Sequence, residues 1–223
     1  MKKFIASIIF IIFLHPYLFA QGFDELADAI YEKDSSKIAD LLDSGIDVNI
    51  SPEGYKTTVL FIACSMEGYE DIASLLISRG ADVNYRGKDG RTPIMWAAGN
   101  SLESTKLLFE HGANITATAD DGMTALIESI FGILSKKVTI DVLSFLLNHG
   151  ANINDALTGK GASGWTALLF ATVNGNKDLV KYLIKHGANI NHTSDEGSTA
   201  LSLAKQEKYK EIVELLKKAG AKE

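Results

Sequence analysis

Apolar and polar positions alternate with a helical period along most of this chain. From residue 22 onward, leucine, isoleucine and alanine recur three and four positions apart, which predicts amphipathic helices. The second helix of each predicted pair ends in one of six glycines: Gly45, Gly80, Gly112, Gly150, Gly187 and Gly220. These glycines recur every 32 to 38 residues. A repeat of this length predicts stacked units that each contact only their neighbours.

The third repeat shows the predicted elements of one unit most clearly. The turn sequence Asp89-Gly90-Arg91 precedes Thr92 and Pro93, which are typical of a helix start. We expect the Thr92 hydroxyl to cap that helix. A second helix is predicted over Leu102–Glu110, and Gly112 ends it because glycine adopts the left-handed conformation without steric penalty.

This pattern resembles the ankyrin repeat. The likeness is carried by Asp89–Ile94 with Ala97 and Ala98, and again by Gly164–Leu168 and His186–Asn191. It implies an all-α solenoid of about six helix-pair units with projecting β-hairpin-like fingers and a concave face. The histidine that the family usually carries after its Thr-Pro-Leu start is missing, and its loss is expected to lower stability without changing the fold. In its place stand Phe61, Met95, Ile127, Leu169 and Ser202.

Residues 1–20 are predicted to be a bacterial secretory signal peptide. Lys2 and Lys3 precede the apolar stretch Phe4–Leu14, and Ala20 supplies a small residue for cleavage. This stretch is shorter than the roughly 20 residues that span a membrane; an uncleaved N-terminal anchor is the alternative. Residues 21–223 are predicted to form one ankyrin-repeat domain. Its units cover approximately 21–53, 54–88, 89–120, 121–154, 155–195 and 196–223.

Charge and cysteine content restrict the classes of partner and compartment. The chain carries a net charge of −6, and removal of residues 1–20, which hold two lysines and no acid, lowers it to −8. Nucleic-acid binders carry basic patches, so we expect a protein partner, no nucleic acid and a monomer without membrane insertion after cleavage. Cys64 is the only cysteine. It is interpreted as a small buried apolar side chain, with a redox thiol as the alternative.

No pattern in the sequence indicates catalysis or a cofactor. His111, His149 and His186 precede capping glycines, but equivalent residues of successive units lie too far apart to share one zinc ion. We interpret them as favourable partners of the helix C-termini. The sequence therefore predicts no enzyme, no cofactor and no metal; an enzyme or metal-binding protein is the alternative from another functional class.

Two irregularities interrupt the repeat. About five extra residues lie between Ser129 and Ile140, and they are expected to lengthen a helix or enlarge a loop. The segment Asp155–Gly164 is an enlarged finger. Its Gly-Lys-Gly sequence lacks the spacing of a phosphate-binding loop. Irregular loops often carry function, so this finger is a candidate docking site, with a tolerated solvent loop as the alternative.

The candidate partner-binding residues come from three places. Residues at equivalent finger bases form a predicted Arg–Met–Trp row, of types enriched at interfaces. Two aromatic residues in first helices form a predicted stripe on the concave face; bracing of the finger and packing between units are the alternatives. The finger itself adds two residues. The seven candidates are Arg91, Met123 and Trp165 in the row, Trp96 and Phe170 in the stripe, and Leu157 and Lys160 in the finger.

These features favour a non-catalytic protein-binding module in the bacterial envelope, most readily in the periplasm. A partner would dock against the concave face and the fingers, with a few aromatic or arginine anchors supplying most of the binding energy. The alternative is a secreted effector that binds a host protein.

Processing of residues 1–20 is the first testable prediction. Mass spectrometry of protein from an exporting bacterial host should show an N-terminus close to Gln21, because the charged start, short apolar stretch and Ala20 match a cleavable leader. Recovery of an intact chain embedded in the membrane would contradict the signal-peptide prediction and favour the anchor.

Overall fold

The computed structural model describes residues 22–52 and 57–222. The predicted signal peptide lies outside the described residues. Within them the chain forms twelve helices. They are α1 (22–31), α2 (Ser35–Asp43), α3 (Val59–Cys64), α4 (Glu70–Ser78), α5 (Pro93–Asn100), α6 (Leu102–Glu110), α7 (Ala125–Leu134), α8 (Ile140–Asn148), α9 (Ala167–Val173), α10 (Lys177–Lys185), α11 (Ala200–Gln206) and α12 (Lys210–Lys218).

The helices pack as a two-layer stack of pairs. The second helix of a pair contacts the first, as α6 contacts α5, and successive first helices from α3 to α11 also contact one another. Short loops project between pairs, and within the described residues they contain two isolated antiparallel β-bridges, Ala156–Thr166 and Thr193–Thr199. The predicted all-α solenoid of helix pairs is therefore confirmed.

Apolar side chains fill the place where the family histidine was expected. Phe61, Met95, Ile127 and Leu169 are all at most 3% exposed. The fifth residue there, Ser202, is exposed. Its hydroxyl accepts the N–H of Thr199 at 2.9 Å, and its own N–H donates to Thr199 Oγ1 at 3.1 Å. Of these five residues, Ser202 alone therefore adds a hydrogen bond from its own side chain to the helix start.

The predicted hydroxyl cap at Thr92 is wrong. The Met95 N–H donates to the backbone carbonyl of Thr92 at 3.1 Å, which leaves the hydroxyl unused. Within the described residues, the buried hydroxyls of Thr58, Thr92 and Thr166 have no hydrogen-bond partner. Thr124 does cap its helix, accepting the Ile127 N–H at 3.3 Å. Threonine marks the helix starts, but the hydroxyl supplies the cap only in some units.

The predicted helix ends are confirmed. Gly112 has φ of 85°, and Ala113 N–H donates to the Leu108 carbonyl at 2.9 Å, which satisfies a terminal carbonyl of α6. The ring nitrogen Nδ1 of His111 lies 2.8 Å from the Leu107 carbonyl oxygen and donates to it. His149 and His186 make the same contact with the carbonyls four residues earlier.

Two observations concern the metal-ligating and thiol side chains. No three histidine, cysteine or acidic residues of the described ranges lie close enough to hold a metal ion. Cys64 is fully buried. Burial, with a smaller contribution from Glu70, raises the pKa of its thiol to about 12. It therefore packs as a small apolar side chain, because at neutral pH it stays protonated.

Asparagine side chains join successive units. Asn49 donates through Nδ2 to the Gly80 carbonyl at 3.0 Å and accepts the Asp82 N–H at 2.7 Å. Three further asparagines, each four residues after a capping glycine, repeat this bridge at later junctions: Asn84, Asn154 and Asn191. Each bridge satisfies the carbonyl of the next capping glycine.

The junction between the third and fourth units has no such asparagine, because Thr116 occupies the position. Its N–H and hydroxyl both donate to Asn114 Oδ1, at 3.0 and 2.9 Å, so these bonds remain inside one unit. The first helices are instead unusually close there. A Cβ on Gly132 of α7 would lie 2.5 Å from the Gly99 carbonyl oxygen of α5. At this junction the close approach of α5 and α7 therefore takes the place of the asparagine bridge.

The extra residues of the fourth unit both lengthen a helix and enlarge a loop. Helix α7 has ten residues, and the loop 135–139 follows it. Lys136 takes a left-handed conformation with φ of 60°. The Lys137 N–H then donates to the Gly132 carbonyl at 2.9 Å, which folds the loop back onto the end of α7.

The missing bridge gives a stability prediction. Thr116→Asn should raise the free energy of unfolding by about 0.5–1.5 kcal/mol, because it restores hydrogen bonds to the fourth unit. A gain of 1 kcal/mol corresponds to a rise in melting temperature of about 2–4 °C for a domain of this size. Thermal melting followed by circular dichroism measures it.

The matched control reverses the exchange at the next junction. Asn154→Thr should lower stability by a similar amount. A Thr116→Asn protein no more stable than the unmodified chain would show that the third junction is too differently spaced to accept the bridge.

Candidate partner-binding groove

Three first helices and the finger bases before them enclose a groove of about 1050 Å³. We call it the first-helix groove. It is lined by one side of α5, α7 and α9, and the C-terminal end of each helix forms its far rim. Its principal side chains are Arg91, Trp96, Glu128, Phe131, Trp165 and Phe170.

The structure brings four of the seven predicted residues together in this groove: Arg91, Trp96, Trp165 and Phe170. Met123 and Leu157 are 6% and 8% exposed and pack in the core, so they present little surface to a partner. Lys160 is exposed on the enlarged finger and does not line the groove. The predicted row and the predicted stripe therefore form one surface, from which Met123 of the row is absent.

Arg91 lies in the groove surrounded by three carboxylates. Its guanidinium lies 3.3 Å from Asp89 Oδ2, 3.2 Å from Asp121 Oδ2 and 3.5 Å from Glu128 Oε1. The side chain is 19% exposed, less than any of its three partners. Asp121 and Glu128 belong to the fourth unit, so Arg91 also joins two units across the junction that lacks an asparagine bridge.

Burial and neighbouring charges act in opposite directions on the pKa values of Glu128 and Arg91. Burial raises the pKa of Glu128, while Arg91 acts to lower it, and the net direction is upward. Burial also acts to lower the pKa of Arg91, but Asp121, Glu128 and Asp89 together raise it. Arg91 therefore stays charged, and Glu128 is a carboxylate whose charge is only partly compensated.

Aromatic rings form the other wall of the groove. Phe170 packs edge-on against Phe131 with ring centroids 4.8 Å apart, and its ring lies 5.1 Å from that of Trp165. Trp96 stands apart from this group and is 44% exposed, one of two large apolar side chains exposed in the described part of the chain. The groove thus offers a packed aromatic wall and one accessible indole.

The enlarged finger lies along its neighbours and does not stand free. The N–H groups of Thr158 and Gly159 both donate to the Asp121 carbonyl, at 2.7 and 3.0 Å. On the other side, the Asp195 N–H donates to the Ser163 carbonyl at 3.2 Å. The finger therefore continues a row of neighbouring turns, and Lys160 lies exposed within it.

Sequence reasoning missed the acidic and loop residues of the groove. Glu128 was not among the predicted residues, yet it pairs with Arg91. Lys137, from the inserted loop, reaches Asn100 Oδ1 at 3.2 Å on the far rim. The available signal was an acid at a repeat position that is apolar in the second, third, fifth and sixth units, in the unit that follows Arg91.

Comparison with known protein families agrees with this architecture. A family model described as ankyrin repeats (3 copies) matches residues 26–119, 60–156 and 130–223. The chain belongs to the ankyrin-repeat family. Members of this family are generally protein–protein interaction modules and generally non-catalytic, and the first-helix groove lies where the family's concave face is expected.

Relatives share the repeats over part of their length. Ankyrin repeat protein T5 of rabbit fibroma virus (strain Kasza) is 32% identical over 51% of this chain and 24% of its own length. A putative E3 ubiquitin-protein ligase, XBAT34 of Arabidopsis thaliana, is 44% identical over 31% of this chain and 19% of its own length. The fowlpox virus (strain NVSL) putative ankyrin repeat protein FPV031 is 31% identical over 63% of this chain and 40% of its own length. The chain thus matches a quarter or less of the first two relatives.

The described helices are all short. Across residues 22–52 and 57–222, none is long and apolar enough to cross a membrane.

The ion-pair cluster predicts a pH-dependent loss of stability. Arg91→Met should cost about 1–3 kcal/mol at pH 7, because three carboxylates lose their shared cation. The folded-state pKa of Glu128 is already raised and should rise further in this variant. When the pKa of a carboxyl is higher in the folded than in the unfolded protein, that group stabilises the fold below its unfolded pKa, which is about 4.3 for glutamate. This contribution is lost as the pH rises through the folded-state pKa. The penalty should therefore be smaller at pH 4 than at pH 7.

Urea unfolding at both pH values measures this difference. Arg86→Met is the matched control, since Arg86 pairs with Asp120 at 3.6 Å on the exposed surface and should contribute little. Equal losses for the two variants, or a penalty independent of pH, would contradict the assigned role of Arg91.

Proposed function

We propose that this protein is a non-catalytic protein-binding module of the bacterial envelope, which acts after export and docks its partner in the first-helix groove. The observation that carries the proposal is the convergence of Arg91, Trp96, Trp165 and Phe170 on one accessible surface. Tryptophan and arginine are the residue types that most often anchor interfaces.

The architecture suits recognition of a folded or extended protein segment. The groove runs across three successive units, and the helices beneath it are fixed by a continuous apolar core. A preformed surface loses little conformational entropy when a partner docks, so more of the contact energy appears as affinity. Export is inferred from the sequence of residues 1–20, and docking is inferred from the groove residues between Asp89 and Asn174.

Capture from a bacterial envelope fraction, followed by titration, tests this function. Trp96→Ala should weaken binding of the captured protein by about 2 kcal/mol or more, the scale of an interface anchor. The exposed indole contributes little to the core, so the fold should be unchanged by circular dichroism. Lys210→Ala, on the exposed side of α12, should bind like the unmodified chain.

A third variant separates the groove from the finger. Lys160→Ala should leave affinity unchanged if the groove alone holds the partner. Unaltered binding by Trp96→Ala would remove the groove from the interface, and recovery of the partner from the growth medium instead of the envelope would favour the secreted alternative.

A further inference from the structure

The Arg91 cluster, next to the exposed indole of Trp96, carries an excess of negative charge. Three carboxylates face one guanidinium in the Arg91 cluster, which leaves a net charge of −2. The side chains of Asp89, Asp121 and Glu128 are 29%, 40% and 24% exposed, and that of Arg91 is 19% exposed. An approaching ligand therefore meets carboxylate oxygens before it meets the arginine.

Glu128 and Trp96 occupy equivalent positions in adjacent first helices. Each lies four residues after its helix-start threonine, and Phe170 is the next equivalent residue along the stack. Packed helix axes lie about 8–10 Å apart, so the carboxylate stands between two aromatic side chains at roughly that spacing. A cation placed over an indole face and beside a carboxylate gains from both the ring quadrupole and the opposite charge.

We infer that the first-helix groove selects a partner segment in which an arginine lies next to a bulky apolar residue. The guanidinium lies against Trp96 and pairs with Glu128, and the apolar residue packs on Phe131 and Phe170. This inference rests on the proposed protein-binding function. Arginine fits better than lysine, because its planar group stacks on aromatic faces and forms two parallel bonds with a carboxylate.

The incomplete neutralisation of Glu128 supports a cationic occupant. Burial raises the pKa of this carboxyl even though Arg91 is beside it. A second cation from a partner would stabilise the ionised form further. Lys137 also lines the groove and acts to lower the pKa of Glu128, but its ammonium bonds Asn100 on the far rim, and the three carboxylates still outnumber the two cations.

The same chemistry continues toward the N-terminal units. The six equivalent first-helix positions hold Asp28, Ile62, Trp96, Glu128, Phe170 and Leu203, which include two acids and no base. A second groove of about 520 Å³ near α1 is lined by Asp24, Asp28, Tyr31 and Ile62 among others. Acidic and aromatic side chains therefore occur together in both grooves, which suits a longer segment with more than one basic residue.

Intrinsic tryptophan fluorescence tests the inference directly. The chain has two tryptophans, and both line the first-helix groove. The probe is a capped nine-residue peptide that repeats glycine, arginine and leucine three times. Two matched peptides replace every arginine by citrulline, which has nearly the same shape without the charge, or every leucine by serine. The arginine–leucine peptide should bind about tenfold more tightly than either.

Protein variants locate the site. Glu128→Gln and Trp96→Ala should each weaken binding of the arginine–leucine peptide about five- to tenfold. Trp165 remains as the reporter in the second variant. Glu214→Gln, an exposed acid on α12, is the matched control and should change affinity less than twofold. Circular dichroism verifies that each variant is folded, and the citrulline comparison needs no variant.

Two outcomes would overturn the inference. Equal binding of the arginine and citrulline peptides would show that no cation is recognised. Equal losses from Glu128→Gln and Glu214→Gln would show only general attraction between a basic peptide and an acidic protein. A captured partner could lose affinity in Trp96→Ala although the peptides and the Glu128→Gln variant show no preference for arginine. That outcome would support the proposed function and contradict this inference alone.

Discussion

The whole stack depends on small buried side chains that let helices approach one another. Five residues, each five positions after a helix-start threonine, are fully buried: Ala63, Ala97, Ser129, Ala171 and Ala204. The serine hydroxyl donates to the Leu126 carbonyl at 2.6 Å, so its burial leaves no unpaired donor. A larger side chain in this row would push the two layers apart, and the apolar surface of each unit can be covered only by its neighbours.

This constraint also creates the candidate site. On a helix, consecutive residues point about 100° apart, so the position just before the buried row faces the open side. There the stack tolerates an indole, a carboxylate or a phenyl ring, as at Trp96, Glu128 and Phe170. The same register that fixes the core therefore leaves one line of side chains outside the buried row, and these side chains face the groove.

The junction between the third and fourth units is built differently from the other described junctions. Thr116 forms no bridge to the next unit, whereas Gly99 and Gly132 bring two first helices into backbone contact. Arg91 adds ion pairs across the same junction. This junction is therefore stabilised by contacts on the groove side of the stack, whereas the other described junctions have an asparagine bridge between their loops. A partner that disturbs the Arg91 carboxylates would act on the contact that holds these two units together, which couples binding in the groove to local stability.

The amino-acid sequence by itself determined the repeat, the helix pairs, the capping glycines and most of the groove's aromatic and arginine residues. These follow from local rules, because helix period, helix-end chemistry and repeat spacing act over a few residues or one unit. The unused Thr92 hydroxyl, the burial of Met123 and the pairing of Arg91 with Asp121 did not follow from them. The burial of Met123 and the pairing of Arg91 depend on which atoms of a neighbouring unit come within bonding distance, whereas the Thr92 hydroxyl is unused because the Met95 N–H donates to the Thr92 carbonyl. Only the stacked structure fixes those distances, because the contacting residues are some 30 positions apart in the chain.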